Sequence, residues 1–397
     1  MRQFLRALKL KFGPLLIRQL IGRGQSQCPS IHSERVVVAG LFNTASGIGE
    51  SARLCFEGLQ SEGIEVEALN LSWIFDQTDL EYQCPQTDKL QNPETGGTLI
   101  LHLNGPETLS ALWHIGIRRW HRNWKIIGFW AWELPSPPWE WRSATRLLSE
   151  IWAPSAYVEA AVRPLTQRPI KIVAHATRPL DPDPAKPNSD LRCLVLADAL
   201  SSFSRKNLSG SIRAYLEAFP APSDTSLTIK YRNIESHPSI MEEISALTLG
   251  RTDIEIISKT LPLAEIQGLI RRSDVLISLH RAEGFGLTIA EAMSAGCIAM
   301  CTAWSGNMEF VTDETAALIS YDLVPVEDSF GIYEKSEKAV WADPYIQEAA
   351  SKLRDIKDNR ESYSSMQTKA AAHIRTVLAP ANYIAALSND EVSISAD

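Results

Sequence analysis

Val36 to Phe42 reads VVVAGLF, an unbroken apolar run, and Gly47 and Gly49 follow it closely. A strand without a polar face has to be covered on both sides, as in a parallel sheet layered between helices. The glycine pair then opens a helix that extends to about Gln60. Further strand candidates lie at Ile64–Leu69, Thr98–Leu103, Lys125–Phe129, Glu150–Ala153 and Ile170–Ala174, with helical runs between several of them. This alternation predicts an α/β doubly wound domain. Four prolines then fall within residues 178–190 (RPLDPDPAKPNSD), which places a linker at 181–190. The pattern restarts with strands at Leu191–Ala197, Ser226–Lys230, Ile254–Ile257, Val275–Leu279 and Cys297–Cys301. Two doubly wound domains of similar size are expected to face each other across a cleft, with ligands at the carboxyl ends of the strands.

A length of 397 residues fits this count, at about 150 residues per domain. The formal net charge of −8 argues against a nucleic-acid partner, whose binding needs clustered positive charge. Six scattered cysteines without a C-x-x-C pair indicate neither a zinc site nor a disulfide framework, and fit a reducing cytoplasm. No apolar stretch of about 18 residues occurs to span a bilayer. Residues 1–34 stand apart. Arg2, Arg6, Lys9, Lys11, Arg18 and Arg23 occur there before any acid, among leucines and phenylalanines at helical spacing. This basic amphipathic arm reads either as an interfacial helix on an anionic membrane surface, through residues 1–24, or as a helix docked on the protein. A mitochondrial transit peptide has similar composition and ranks third.

The densest chemistry lies in Asp274–Cys301, DVLISLHRAEGFGLTIAEAMSAGCIAMC. It reads as strand, loop from His280 to Phe285, and a helix from about Gly286 to Ala295. Gly284 and Gly286, with Phe285 between them, let the backbone approach a ligand, and the helix start offers unpaired N–H groups to an anion such as phosphate. Glu283 in the loop and Glu291 on the helix are better suited to accept hydrogen bonds from hydroxyls. A nucleotide sugar presents ribose hydroxyls to one carboxylate and hexose hydroxyls to the other. Arg281, beside Glu283, is expected to add to the anion site.

Glu283 and Glu291, set within EGFGLTIAE and followed by AMSAG, resemble the signature of the retaining GT-B glycosyltransferases of family 4. WSGNMEF (304–310), VWADP (340–344), SFSRKN (202–207), WAPS (152–155), GFWAWELPSPPWEW from Gly128 and SGIGESAR from Ser46 extend the resemblance over most of residues 35–380. The resemblance implies a GT-B fold: an N-terminal acceptor-side domain at 35–180, a C-terminal nucleotide-sugar domain at 191–365, and a helical segment at 366–397 crossing back to the first domain. It implies that Glu283 contacts the donor sugar and Glu291 the ribose. Arg205 and Lys206 stand where the family places its phosphate-binding cations, Lys206 being the closer match. The second arginine often found several residues earlier is replaced by Ala199-Leu200-Ser201-Ser202. No D-x-D pair stands where a metal would bridge a diphosphate, since Asp181 and Asp183 sit in the linker. Metal independence, with no cofactor besides the donor substrate, is therefore expected.

In the first domain, Gly47 and Gly49 border the donor phosphates by the same resemblance; by themselves they describe a tight strand-to-helix turn. A family histidine supporting the acceptor corresponds to His102 or Asn104, and an asparagine there positions a hydroxyl without taking its proton. His102 reads equally as a core histidine. Eight of the eleven tryptophans lie between Trp113 and Trp152. Most read as core; Trp132 and Glu133 are the candidates for stacking on, and hydrogen bonding to, an acceptor sugar.

These features lead to a hexosyltransferase using a nucleotide-diphosphate sugar and a glycan or lipid-linked acceptor, in bacterial surface polysaccharide synthesis, with mannose as the first choice of hexose. The alternatives are a nucleotide-sugar epimerase on the same scaffold and a catalytically silent scaffold protein.

Overall fold

The computed structural model describes residues 35–388 apart from 76–77, 79, 81, 118–122, 184–189, 199–201, 233–237, 329–332 and 334–338. The basic arm, part of the linker and Ala199–Ser201 lie outside the described residues. The chain divides into two units, with breaks between Ala176 and Thr177 and between Leu378 and Ala379.

The first unit contains β1 (Val36–Gly40), α1 (Gly47–Ser61), β2 (Val66–Asn70), β3 (Gln86–Thr87), β4 (Gly97–His102), α2 (Gly105–His114), β5 (Trp124–Phe129), α3 (Arg142–Thr145), β6 (Glu150–Ala153), α4 (Ala156–Val162) and β7 (Ile170–Ile172). The sheet order is β3-β2-β1-β4-β5-β6-β7, parallel throughout. All five residues of β1 are buried, as its uninterrupted apolar sequence requires.

The second unit contains β8 (Leu191–Asp198), α5 (Phe203–Lys206), α6 (Leu208–Ala218), β9 (Thr225–Arg232), α7 (Pro238–Leu247), β10 (Ile254–Ile257), α8 (Leu263–Arg272), β11 (Val275–Ser278), α9 (Leu287–Ser294), β12 (Ile298–Thr302), β13 (Ala317–Ile319), β14 (Tyr321–Pro325), β15 (Val340–Pro344), α10 (Ile346–Asp358) and α11 (Arg360–Val377). Its parallel sheet runs β10-β9-β8-β11-β12-β13, and β14 pairs antiparallel with β15. The core gathers Val195, Ile229 and Ile277 from the strands with Ile212 and Tyr215 of α6 and Leu353 and Ile356 of α10. The last helix, α12 (Ala381–Leu387), belongs to the first unit, where Tyr383 is fully buried in the core beside Phe56 and Ile100. The crossing thus falls after α11, within the segment 366–397.

Every strand expected from sequence lies within two residues of an observed one at each end. Strands β3, β13, β14 and β15 were not expected as strands: β3 is two residues long, and β14 and β15 carry polar residues between apolar ones.

Candidate functional site

In the second sheet, β8 sits between β9 and β11, so the chain leaves β8 toward one side and returns through β11 on the other. Loops diverge at such a reversal and leave a crevice at the carboxyl ends of the strands. The segment after β8 brings Arg205 and Lys206 there, and the segment after β11 brings Glu283.

After β8 the chain turns sharply. Ser202 has φ 61° and its Oγ accepts the Arg205 N–H at 3.3 Å, capping α5. Asn207, at φ 49°, ends α5, and its amide donates to the Leu279 carbonyl at 2.9 Å. The Arg281 N–H donates to the Arg205 carbonyl at 2.7 Å, which stitches the two loops together.

Lys206 Nζ meets Glu283 Oε1 at 2.5 Å and Arg205 Nη1 meets Oε2 at 3.2 Å. Arg205 also donates to the Ala282 carbonyl at 2.7 Å. Arg205 is buried, whereas the Lys206 side chain is 23% exposed and is the cation a ligand can reach. Burial works to raise the Glu283 carboxyl, but Lys206 and Arg205 outweigh it and bring it down to about 2. The site therefore presents a fully ionised carboxylate inside a cationic bracket.

His280, three residues before Glu283, is completely buried, and among the described residues neither ring nitrogen has a hydrogen-bond partner. Burial pushes its imidazole down to about 4, so it stays neutral at pH 7. Arg281 turns its guanidinium onto Asp343 and the Ser204 carbonyl, each at 3.0 Å, and over the Trp341 ring at 5.4 Å. It ties the loop to β15. Phe285 is buried against Phe310 at 4.9 Å, and Gly286, at φ 99°, starts α9 without a side-chain cap. Glu291 lies in the second turn of α9, partly buried.

A third segment, following β12, was not singled out as part of the site. Ser305 Oγ accepts the Glu283 N–H at 2.8 Å, and the Gly306 N–H donates to the Glu283 carbonyl at 2.8 Å. A Cβ on Gly306 would stand 2.0 Å from the Gly284 carbonyl oxygen, so only glycine allows this approach. The available signal was the WSGNMEF motif, recognised as a motif but not resolved into contacts.

The first unit contains the remaining sequence-derived residues. Gly49 lies where a Cβ would meet the Thr44 and Leu41 carbonyls at 2.4 and 2.7 Å, and its N–H is capped by Ser46 Oγ at 3.2 Å. No described atom lies within 4 Å of where a Gly47 Cβ would stand. His102 is fully buried at the end of β4, with Nδ1 2.7 Å from Ser51 Oγ and its ring stacked on Phe129 at 4.7 Å. Burial and the nearby His175 hold its imidazole well below the usual range. Asn104 Oδ1 accepts the Ala131 N–H at 3.0 Å, joining the end of β4 to the Trp130–Glu133 segment. Trp132 is buried against Trp141 at 5.0 Å. The Glu133 carbonyl accepts from Tyr157 Oη at 3.1 Å, and its side chain is half-buried.

Residues 155–382 match the family described as "Family 4 Glycosyltransferase in conflict systems". The match spans more than half of the chain and includes the whole Glu283 site, and the chain belongs to that family of glycosyltransferases. A search of curated proteins found no match in sequence. Among solved structures, the fold is similar to a glycosyltransferase from Rickettsia africae ESF-5, at 14% identity and a TM-score of 0.61, covering 89% of this chain and 96% of that one. It is equally similar to Anabaena HepE, solved in complex with UDP and glucose, at 14% identity and TM-score 0.61, covering 89% and 98%. The pneumococcal O-GlcNAc transferase GtfA, in complex with UDP and GlcNAc, aligns at 14% identity and TM-score 0.54 over 74% of this chain and 56% of its own. These likenesses establish the GT-B fold.

Proposed function

We propose that this glycosyltransferase moves a hexose from a nucleoside-diphosphate sugar to a glycan or lipid-linked acceptor hydroxyl, with retention of configuration. The observation that carries the reading is the Glu283 carboxylate held between Lys206 and Arg205 at the sheet reversal. Glu283 accepts hydroxyls of the donor sugar, Glu291 accepts those of the ribose, and Lys206 neutralises the diphosphate together with the start of α9. Structures of HepE and GtfA holding UDP and a sugar support a nucleotide donor for this fold. UDP-glucose and UDP-GlcNAc therefore join GDP-mannose, the first choice from sequence, as donors to test.

In the reaction, the bond from the anomeric carbon to the diphosphate oxygen breaks. A bond to the acceptor oxygen forms on the same face, and the acceptor proton passes to the departing phosphate oxygen. Negative charge grows on the diphosphate, where Lys206 offers most in the transition state. With this cation in place the reaction proceeds without metal. His102 and Asn104 belong to the acceptor side in this reading, His102 acting through Ser51 and Phe129. Among the described residues no helix is long and apolar enough to cross a membrane; contact with anionic lipid is assigned to residues 1–24, on their sequence alone.

Thermal unfolding with UDP-glucose, UDP-GlcNAc and GDP-mannose, each with and without EDTA, tests the reading. One donor should stabilise the protein by about 2.7 kcal/mol at a hundredfold excess over its Kd. Glu291→Ala should weaken that donor roughly tenfold or more, the worth of a hydrogen bond to a charged group. Protection by none of the three would overturn the choice of donors, and protection abolished by EDTA would overturn metal independence.

A further inference from the structure

Four non-glycine residues among those described have φ in the left-handed region, and three of them lie on segments tied to Glu283: Ser202 and Asn207 bound the helix that carries Arg205 and Lys206, and Ser305 contacts Glu283 itself. Ser202 and Asn207 shape the turn that delivers the cations. Ser305 acts on the carboxylate's own backbone. It has φ 74°, a conformation glycine adopts freely and a residue with a Cβ adopts at a cost. If the turn alone mattered, glycine would be the better residue. What serine adds is the hydroxyl, and that hydroxyl accepts the Glu283 N–H at 2.8 Å.

The neighbouring Gly306 N–H occupies the Glu283 carbonyl, so both backbone polar groups of Glu283 are held by one short segment. On the carboxylate side, Lys206 and Arg205 grip the two oxygens. Glu283 is therefore fixed at both ends, and the single interaction in this set that requires a strained residue is the one from Ser305. Strain kept at such a point indicates a geometric demand on the residue it holds.

We infer that Ser305 is a positioning residue for Glu283, holding the carboxylate where the donor sugar's hydroxyls arrive. The inference rests on the donor reading above. Its consequence is that stability and activity respond to different properties of residue 305. Stability follows tolerance of the left-handed backbone, whereas activity follows the hydroxyl.

Ser305→Gly and Ser305→Ala in the full-length protein separate these two properties. Three measurements are made: thermal unfolding, amide hydrogen exchange at Glu283, and turnover of UDP-glucose and GDP-mannose to free nucleoside diphosphate. Ser305→Ala should have the lower melting temperature of the two, because it keeps the backbone cost and loses the bond. Both variants should show faster exchange at Glu283 and a fall in kcat of about tenfold with a smaller change in KM, as expected for loss of one hydrogen bond's worth of positioning. Wild-type kcat in Ser305→Gly, or unchanged exchange at Glu283, overturns the inference. So does a kcat that follows melting temperature across the three proteins. If the wild-type protein turns over neither nucleotide sugar, the choice of donor fails, while exchange at Glu283 still decides whether Ser305 holds the loop.

Discussion

Glu283 remains ionised in a buried position because two cations reach it, and Lys206 is the more exposed of the two. Lys206→Ala should therefore destabilise the protein at pH 7 by roughly 1.5–3 kcal/mol, the value of a charge-assisted hydrogen bond. The pH dependence has a definite sign. The folded carboxyl, at about 2, lies below its ordinary 4.5, so its contribution is complete above pH 4.5 and is lost as pH falls toward 2. The deficit of Lys206→Ala should shrink over that window, and urea unfolding at pH 7, 4 and 3 measures it. An equal deficit at pH 3 and pH 7 would mean that the ammonium stabilises something other than this carboxylate. Glu283 and Lys206 were legible in the sequence because their motifs carry them. Ser305 was not, since a serine that takes a left-handed backbone looks in sequence like any other loop serine. His280, three residues before Glu283 in the same loop, is fully buried.

At the scale of elements, the site depends on backbones approaching more closely than side chains permit. Gly306→Ala would place a Cβ 2.0 Å from a backbone oxygen of the segment that carries Glu283, and that oxygen has no flexible side chain to yield. A loss of about 1–3 kcal/mol is expected, as for overpacking, together with loss of donor protection. Gly47→Ala, with no described atom within 4 Å of its Cβ, should be neutral or stabilising by up to about 1 kcal/mol. Comparable melting temperatures for the two variants would contradict the close approach. Strand cores were readable where strands buried on both faces leave unbroken apolar runs, as at Val36–Gly40, whose five residues are all buried. Strand ends were less readable where polar residues continue the ladder. Asp198 and Arg232, paired in register between β8 and β9, form an ion pair at 2.5 Å that extends both strands past their apolar runs. The β14–β15 pair escaped because its strands are joined by a long connection without a hairpin's turn signal.

For the whole molecule, the return of the chain's end to the first unit makes that unit discontinuous in sequence. The segment 366–397 was expected to cross back, and the crossing falls within it, after Leu378; sequence periodicity does not say which sheet a helix joins. The contacts of α12 are specific. The Tyr383 ring lies 3.0 Å from where a Gly58 Cβ would stand, Tyr383 Oη accepts the Ala176 N–H at 3.0 Å, and Lys171 Nζ donates to the Ala386 carbonyl at 2.6 Å. Tyr383→Ala should destabilise the first unit by about 3–5 kcal/mol, the usual cost of emptying a large aromatic site. Tyr383→Phe should cost roughly 1–3 kcal/mol, because it strands the buried Ala176 N–H. The second unit is a single stretch, 177–378, and contains Arg205, Lys206, Glu283, Glu291 and Ser305. In calorimetry, truncation after Leu378 should lower one unfolding transition and leave the other in place, with nucleoside-diphosphate protection retained by the unshifted one. A single transition that falls as a whole would show instead that the two units unfold together, and that α12 stabilises the Glu283 site as much as its own sheet.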